Sequence, residues 1–511
     1  MPTTQLPQQI CLLPGGMDES SSAQKIINGG SQSDALSSAS GYRMSEPSSH
    51  VPATHEANAI EPPTLASEIM KIDLGDKRRN RRACTVIEQL GSQPQCSIPA
   101  AIGGWSETKS AYNLFASDEV TAQQILAPHF QSTLERVKQY PVVLVAQDTT
   151  ELDYTGKSDI EGMGTLNYES RSGLYLHASL AITPERLSLG QLDSWSWTRP
   201  FEDADKESIR WIEGFQRVCE YQQQLTQEGS ETQLIYMADR EGDIYELFTA
   251  RERTVQGGES AADWLIRSQH DRNTEEGEKI RILLSKAPRL GEIQFNLPKG
   301  RGNRKARPVT QTLRAISVPI SPPKKGFPIV TVTAILAEEE HPPKGEKPIQ
   351  WILLTNRTIQ THEQAQQMLD WYLCRWQIEV FFKVLKSGCK VEELQLEHVD
   401  RIENALAFYQ IIAWRVLYLT MLGRECPELP CNLVFEESEW QAVYIVTKRE
   451  KPPETPPSID EIIRMIASYG GFLNRKGDGF PGPQTIWIGL QRCQDFVLGV
   501  EAQKGIYEKS R

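Results

Sequence analysis

Two short apolar runs constrain the fold more than any other feature of the chain. Val142-Val-Leu-Val-Ala146 and Leu234-Ile-Tyr-Met-Ala238 are too short and too continuously apolar for an amphipathic helix. The first gives way to Gln147-Asp148-Thr149-Thr150, the second directly to Asp239. Such runs predict buried strands, each delivering an acidic residue at its carboxyl end. Leu174 to Ile182 and Arg186 to Trp197 read as a hairpin around Thr183-Pro184, with further strands at Trp264 to Arg267 and Ile349 to Thr355. Helical periodicity occupies Asp205 to Thr226 and resumes at Ile244 to Ala250. Strands and helices in this order predict a mixed α/β sheet with helices packed on it.

The flanks differ in character. Residues 1–62 are rich in Ser, Gly, Pro, Asn and Gln without sustained periodicity, and read as a disordered leader. A helical domain is expected over 63–139, from the stripes Leu65, Ile69, Ile72, Leu74 and Ala83 to Leu90, and from Ser110 to Phe115 and Val120 to Val137. The sheet core then divides into 140–271 and 346–425, around a β-rich insertion at 272–345 with alternating runs Thr312 to Ile320 and Ile329 to Leu336. Residues 426–511 are expected to be helical, broken by Pro-rich loops such as Pro452 to Pro457.

No stretch approaches the ~18–20 continuous apolar residues of a membrane span, and no basic segment precedes the short apolar Ile10 to Leu13. Nine cysteines without a CxxC pair argue against a zinc ribbon or a disulfide framework. A cytoplasmic protein without a membrane partner is the expectation. The net charge of −12 looks wrong for a DNA-binding protein, but the field at a binding face is local. Lys71 to Arg82 and Lys299 to Lys325 are both strongly basic, and the second contains no acid.

A third carboxylate comes from Thr361 to Ser387, which lacks Gly and Pro and reads as one helix. At ~100° per residue, Leu369, Leu373, Trp376, Val380 and Val384 form an apolar stripe. Tyr372, Arg375, Glu379, Lys383 and Lys386 form a second face roughly a quarter-turn away. An Asp at a strand end also serves as a turn former or helix N-cap, and a charged helix face is often only solvated. Together, however, Asp148, Asp239 and Glu379 could hold two Mg²⁺ ions about 3.5–4 Å apart for phosphodiester displacement. Oxygen ligands select hard cations, and no His/Cys set suggests zinc. A glycosidase also uses paired carboxylates, but it has no need of the cations around Glu379.

These residues resemble a known family. Tyr372-x2-Arg375-x3-Glu379-x6-Lys386 matches the YREK signature of the DDE transposases of bacterial insertion sequences, in the IS-four group. Gln147-Asp148-Thr149-Thr150 looks like that family's first-Asp motif and Asp239-Arg240-Glu241-Gly242-Asp243 like its second. The likeness runs from Leu74-Gly-Asp-Lys-Arg-Arg79 to Gly470-Gly-Phe-Leu473. It implies an RNase H-like α/β catalytic core with an inserted β subdomain. It also implies an N-terminal helical domain that binds transposon ends and a C-terminal helical region that dimerises. Asp148, Asp239 and Glu379 would be the catalytic metal ligands, for two Mg²⁺ ions with Mn²⁺ as a substitute. Tyr372, Arg375 and Lys386 would contact phosphates near the terminal nucleotides, with Lys383 on the same face. Trp351 matches the Trp on which a flipped base stacks, and Arg267 a DNA-contacting Arg; Arg78, Arg79 and Arg82 align with the end-binding segment. One departure is Gln377, where the close relative carries Arg. The implied activity is cut-and-paste transposition of terminal inverted repeats into target DNA by a synaptic homodimer. A structure-selective nuclease of the same fold and a non-catalytic DNA-binding regulator remain as alternatives.

Overall fold

In the computed structural model, the residues described are 4–5, 64–157, 160–168, 170–199, 208–297 and 306–509. The expected leader lies almost wholly outside them. So do Lys299, Arg301, Arg304 and Lys305 of the second basic segment.

The sheet begins with β1 (Val142–Asp153), β2 (Ser172–Ile182) and β3 (Ser188–Trp197), an antiparallel meander. Helices α1 (Lys77–Ser92), α2 (Trp105–Phe115) and α3 (Ala122–Val137) precede the sheet, and after α4 (Ser208–Gln227) strand β4 (Gln233–Ala238) lies parallel to β1. Helix α5 (Tyr245–Gln256) then leads to β5 (Asp263–Arg267), parallel to β4. The order β3-β2-β1-β4-β5, with three antiparallel strands followed by two parallel ones, fits an RNase H-like core.

The insertion supplies β6 (Arg289–Leu297), β7 (Arg307–Ile320) and β8 (Val330–Glu338). These do not form a sheet of their own. Through β9 (Gln350–Thr355), antiparallel to β5, they extend the core sheet in the order β6-β7-β8-β9-β5. Of the basic residues described here, Lys324 and Lys325 are exposed, whereas the two arginines are paired with acids. Arg307 pairs with Glu339 and Glu346, and Arg314 with Glu340.

Alternation along the strands sorts the core into two layers. Val143 and Val145 of β1, with Tyr236 of β4, pack beneath α4 and α5. Leu144 and Ala146, with Ile235, Met237, Leu265 and Leu353, pack on the opposite face. That face is covered by α6 (His362–Cys374), α7 (Trp376–Lys383) and α8 (Val399–Glu425). Helix α8 is apolar and long enough to cross a membrane, yet 89% of its most apolar window is buried within the protein. It is the central core helix, and it also carries the N-terminal helices α1, α2 and α3. A C-terminal cluster forms around α9 (Glu437–Lys448), α10 (Ile459–Tyr469) and α11 (Pro483–Lys509).

Candidate active site

The sheet register builds one side of the site. Ala146 of β1 pairs with Met237 of β4, so Asp148 and Asp239, each two residues further on, stand level on adjacent parallel strands. Ala238 pairs with Ile266, which brings Arg267 level with Asp239. Arg267 in turn faces Leu353 of β9, two residues from Trp351. Period-two alternation puts all four on the face of Leu144, Ala146, Met237, Leu265 and Leu353, the face that α6 and α7 cover. The guanidinium of Arg267 lies over the Trp351 ring at 5.6 Å, and Trp351 meets Tyr372 edge-on at 5.6 Å.

Asp148 does not end its strand, contrary to the sequence expectation. β1 runs to Asp153, and only its parallel pairing with β4 stops at Ala146. Beyond that point β1 keeps one neighbour, β2, and the chain turns from apolar to polar because one edge is open. Asp239 does end β4, and it also caps the short 3₁₀ turn Arg240–Gly242 by accepting from the Glu241 N–H at 2.8 Å.

The expected single helix is in fact two helices and a π turn. α6 gives way at Arg375 to α7, and residues Val384–Gly388 widen into a π-helix. Of the expected apolar stripe, Leu369 and Val384 are buried, but Leu373, Trp376 and Val380 are only half-buried, and Met368, Tyr372, Ile378, Phe381, Phe382 and Leu385 are buried beside them. Aromatic and aliphatic side chains lie on all sides of this segment, so periodicity alone could not tell which face meets the sheet.

Arg375 is the main surprise. Its guanidinium does not reach outward; it bridges Asp148 Oδ2, at 3.1 Å, and the Glu379 carboxylate. Its side chain is 10% exposed, against 18% for Asp148 and 32% for Glu379. Burial raises the Asp148 pKa well above the usual carboxylate range; Arg375 opposes this, while the charges of Asp239 and Glu379 add to it. Tyr372 is buried, its hydroxyl lies beside the Arg375 guanidinium without a well-formed hydrogen bond, and burial pushes its pKa up to about 12. A buried hydroxyl without such a bond costs about 1–3 kcal/mol unless a ligand completes it.

Lys383 is exposed, and Lys386 turns toward a different cluster. Its amine is 3.9 Å from Glu392, and burial lowers its pKa against the pull of Glu392, Glu151 and Asp153. Arg171 lies in the same cluster, 2.7 Å from Glu151 and 3.0 Å from Asp153. In the N-terminal helices, Arg78 is exposed and Arg82 half-buried. Arg79 donates to the Leu74 carbonyl at 3.0 Å and pairs with Glu119.

Two supporting groups escaped the sequence reading. Gln147 accepts from the Tyr236 hydroxyl and donates to Ser179 Oγ, both at 2.8 Å, against the bare Cα of Gly214, where a Cβ would lie 2.1 Å from its amide nitrogen. This clamps β1 beside the first acid. Asp243 accepts from the backbone N–H of Gln269 (2.7 Å) and His270 (2.8 Å) and from Arg272, tying the exit of β5 to the Asp239 turn. Its place in Asp239-Arg-Glu-Gly-Asp243 was a signal that could have singled it out.

The donor set suits a divalent cation in kind, being carboxylates on two strands and a helix. Among the described residues, no three His, Cys, Asp or Glu side chains are close enough to share an ion. The positive charge among the carboxylates is Arg375.

Family comparisons agree with this architecture. Residues 63–120 match a transposase DNA-binding domain and residues 259–415 a transposase DDE domain. Residues 411–510 match the dimerisation domain of Tn5 transposase. Together these matches span more than half of the chain. The chain belongs to the Tn5-type DDE transposases. It is a DNA-binding, dimer-forming enzyme of DNA transposition that depends on divalent metal. The DDE match contains Arg267, Trp351 and the Tyr372 to Lys386 signature, and the DNA-binding match contains Arg78, Arg79 and Arg82. Asp148 and Asp239 precede the DDE match, so in this transposase they join Glu379 through sheet register and electrostatics.

Proposed function

We propose that this transposase moves its element by a cut-and-paste route, with Asp148, Asp239 and Glu379 as the ligands of two Mg²⁺ ions that Mn²⁺ can replace. Bound there, such ions would activate an attacking oxygen and neutralise charge on the departing one. The observation that carries the reading is the level placement of Asp148 and Asp239 under the helix bearing Glu379, with Arg375 bridging Asp148 to Glu379.

The chain's own residues then have distinct tasks. Tyr372, Arg375 and Lys386 hold phosphates near the terminal nucleotides, and Lys383 adds positive charge at the exposed surface of the same segment. Trp351 stacks a base drawn out of the duplex; aromatic stacking can return ~1–3 kcal/mol against an unstacking cost of a few. Arg267, already over the Trp351 ring, steadies that platform and meets the backbone. Arg78, Arg79 and Arg82 grip the terminal inverted repeat at a distance from the chemistry. A water-derived nick frees a 3′-hydroxyl, which attacks the opposite strand to leave a hairpin on the element; after a second water opens it, the same hydroxyl attacks target DNA. Two subunits form the synaptic homodimer, each acting on the end held by its partner, on the nucleoid of the host cytoplasm. The domain division that accompanies this reading is 63–139 for end binding, 140–425 for the core with its insertion at 272–345, and 426–511 for dimerisation.

The test is an excision reaction on a plasmid carrying the flanking repeats, with Mg²⁺, comparing wild type and Glu379→Gln. Hairpin-ended and excised element from wild type alone is the expected result. Nicked products without hairpins or strand transfer would point instead to a nuclease of the same fold.

A further inference from the structure

We infer that Arg375 is the resident cation of the carboxylate site, a positioning residue that competes with metal until DNA phosphate draws it away. The inference rests on the carboxylate metal reading above, and goes beyond it by giving the signature arginine two positions. Its guanidinium spans Asp148 and Glu379 and is nine-tenths buried. Those two carboxylates would otherwise repel each other and Asp239 in a poorly hydrated place, which like-charge clustering makes costly. One arginine resolves that conflict, because its planar fork can serve two carboxylates at once.

The same bridge keeps a metal out. A divalent ion sharing Asp148 and Glu379 would stand against a fixed positive charge, and each carboxylate has an oxygen committed to Arg375. A phosphate diester offers the guanidinium the same bidentate match. Moving there would free both carboxylates without leaving Arg375 unpaired. Metal and DNA binding therefore become linked: DNA raises metal affinity, and by thermodynamic reciprocity metal raises DNA affinity by the same factor. Arg375 sits at the junction of α6 and α7, and the π turn follows immediately after α7, so this segment carries irregular backbone where such a movement would occur.

The test is Mn²⁺ binding by the full chain at about pH 8, read by electron paramagnetic resonance of free Mn²⁺ and by metal-induced rise in melting temperature. Wild type, Arg375→Gln, Arg375→Lys and Asp148→Asn are compared with and without a short duplex of the element's end. Removing a fixed positive charge a few ångströms away predicts Mn²⁺ affinity about tenfold or more tighter in DNA-free Arg375→Gln. The duplex should tighten Mn²⁺ binding by wild type and do so much less for Arg375→Gln. Arg375→Lys, charged but unable to bridge, should fall between the two. If Arg375→Gln is too unstable to isolate, Arg375→Lys carries the comparison: tighter DNA-free Mn²⁺ binding than wild type supports the inference, and equal or weaker binding overturns it. Equal affinities for wild type and Arg375→Gln, with Asp148→Asn losing Mn²⁺, would sink the arginine's role and leave the metal site standing. Unchanged Mn²⁺ binding by Asp148→Asn would remove the carboxylate site itself, and this inference with it.

Discussion

Two buried carboxylate–arginine contacts in this protein behave in opposite ways. Glu68, 4% exposed, lies between the N-terminal helices and the core. It accepts from Arg136 at 2.6 Å and 3.2 Å and from His129 Nδ1 at 2.8 Å. His129 Nε2 must accept the Gln191 backbone N–H at 3.1 Å, so Nδ1 carries the proton and the ring is neutral, as burial also dictates. Burial alone would raise the Glu68 pKa, but its bonds to His129 and Arg136 bring it down from 4.5 to about 2. Asp148 also has an arginine, yet its pKa rises, because burial is joined by two further carboxylates drawing on the same guanidinium. A buried acid with donors of its own is a structural tie. Three acids sharing one cation form a site that lacks positive charge.

The largest effect that could break this contrast is chemical. Asp148→Asn, Asp239→Asn and Glu379→Gln should each lower strand cleavage by at least about a thousandfold while end binding persists, measured as excised product against gel-shift affinity. Near-normal cleavage by any of them would remove it from the ligand set. The same Asp148→Asn should raise the melting temperature of the metal-free protein, since it removes a charge the fold disfavours.

Glu68→Ala should do the reverse and destabilise by about 3–5 kcal/mol in a thermal or urea melt, because Arg136 loses its partner. The pH dependence sharpens the point. A carboxylate depressed from 4.5 to about 2 contributes roughly 3 kcal/mol, fully present above pH 4.5 and lost as pH falls toward 2. Wild type should therefore lose stability through that window more steeply than Glu68→Gln; parallel curves would show that Glu68 is not held as described.

Trp351→Ala should cost ~1–3 kcal/mol in binding of pre-cleaved ends, measured by titration, with little change in melting temperature because the ring is only half-buried. The smallest effect belongs to the N-terminal helices. Arg78→Ala should weaken end binding and reduce the slope of log affinity against log salt by about 1, with cleavage of bound DNA unchanged. Arg79 should do less than its charge suggests, since Glu119 already faces it.

Much of the fold was legible because its signals are local. The runs Val142 to Ala146 and Leu234 to Ala238 are strands, the hairpin turns at Thr183-Pro184, α4 and α5 lie close to where periodicity put them, and the C-terminal region is helical as expected. The family was legible too, through the spacing of Tyr372, Arg375, Glu379 and Lys386. Apolar strand runs and a charged helix face singled out the three acids. Propensity and hydrophobic period act over a few residues, so local pattern was enough to show which segments could be strands or helices and which side chains had the right chemistry. The tertiary structure decided the rest. Register between β1, β4 and β5 aligned Asp148, Asp239 and Arg267, and strand pairing across that distance leaves no mark in local pattern. Enclosure on every side buried Tyr372 and Arg375 on what reads as a polar helix face. Arg375 turned inward for the same reason: a guanidinium takes its nearest unmet negative charge, and only the folded chain brings Asp148 within 3.1 Å of it.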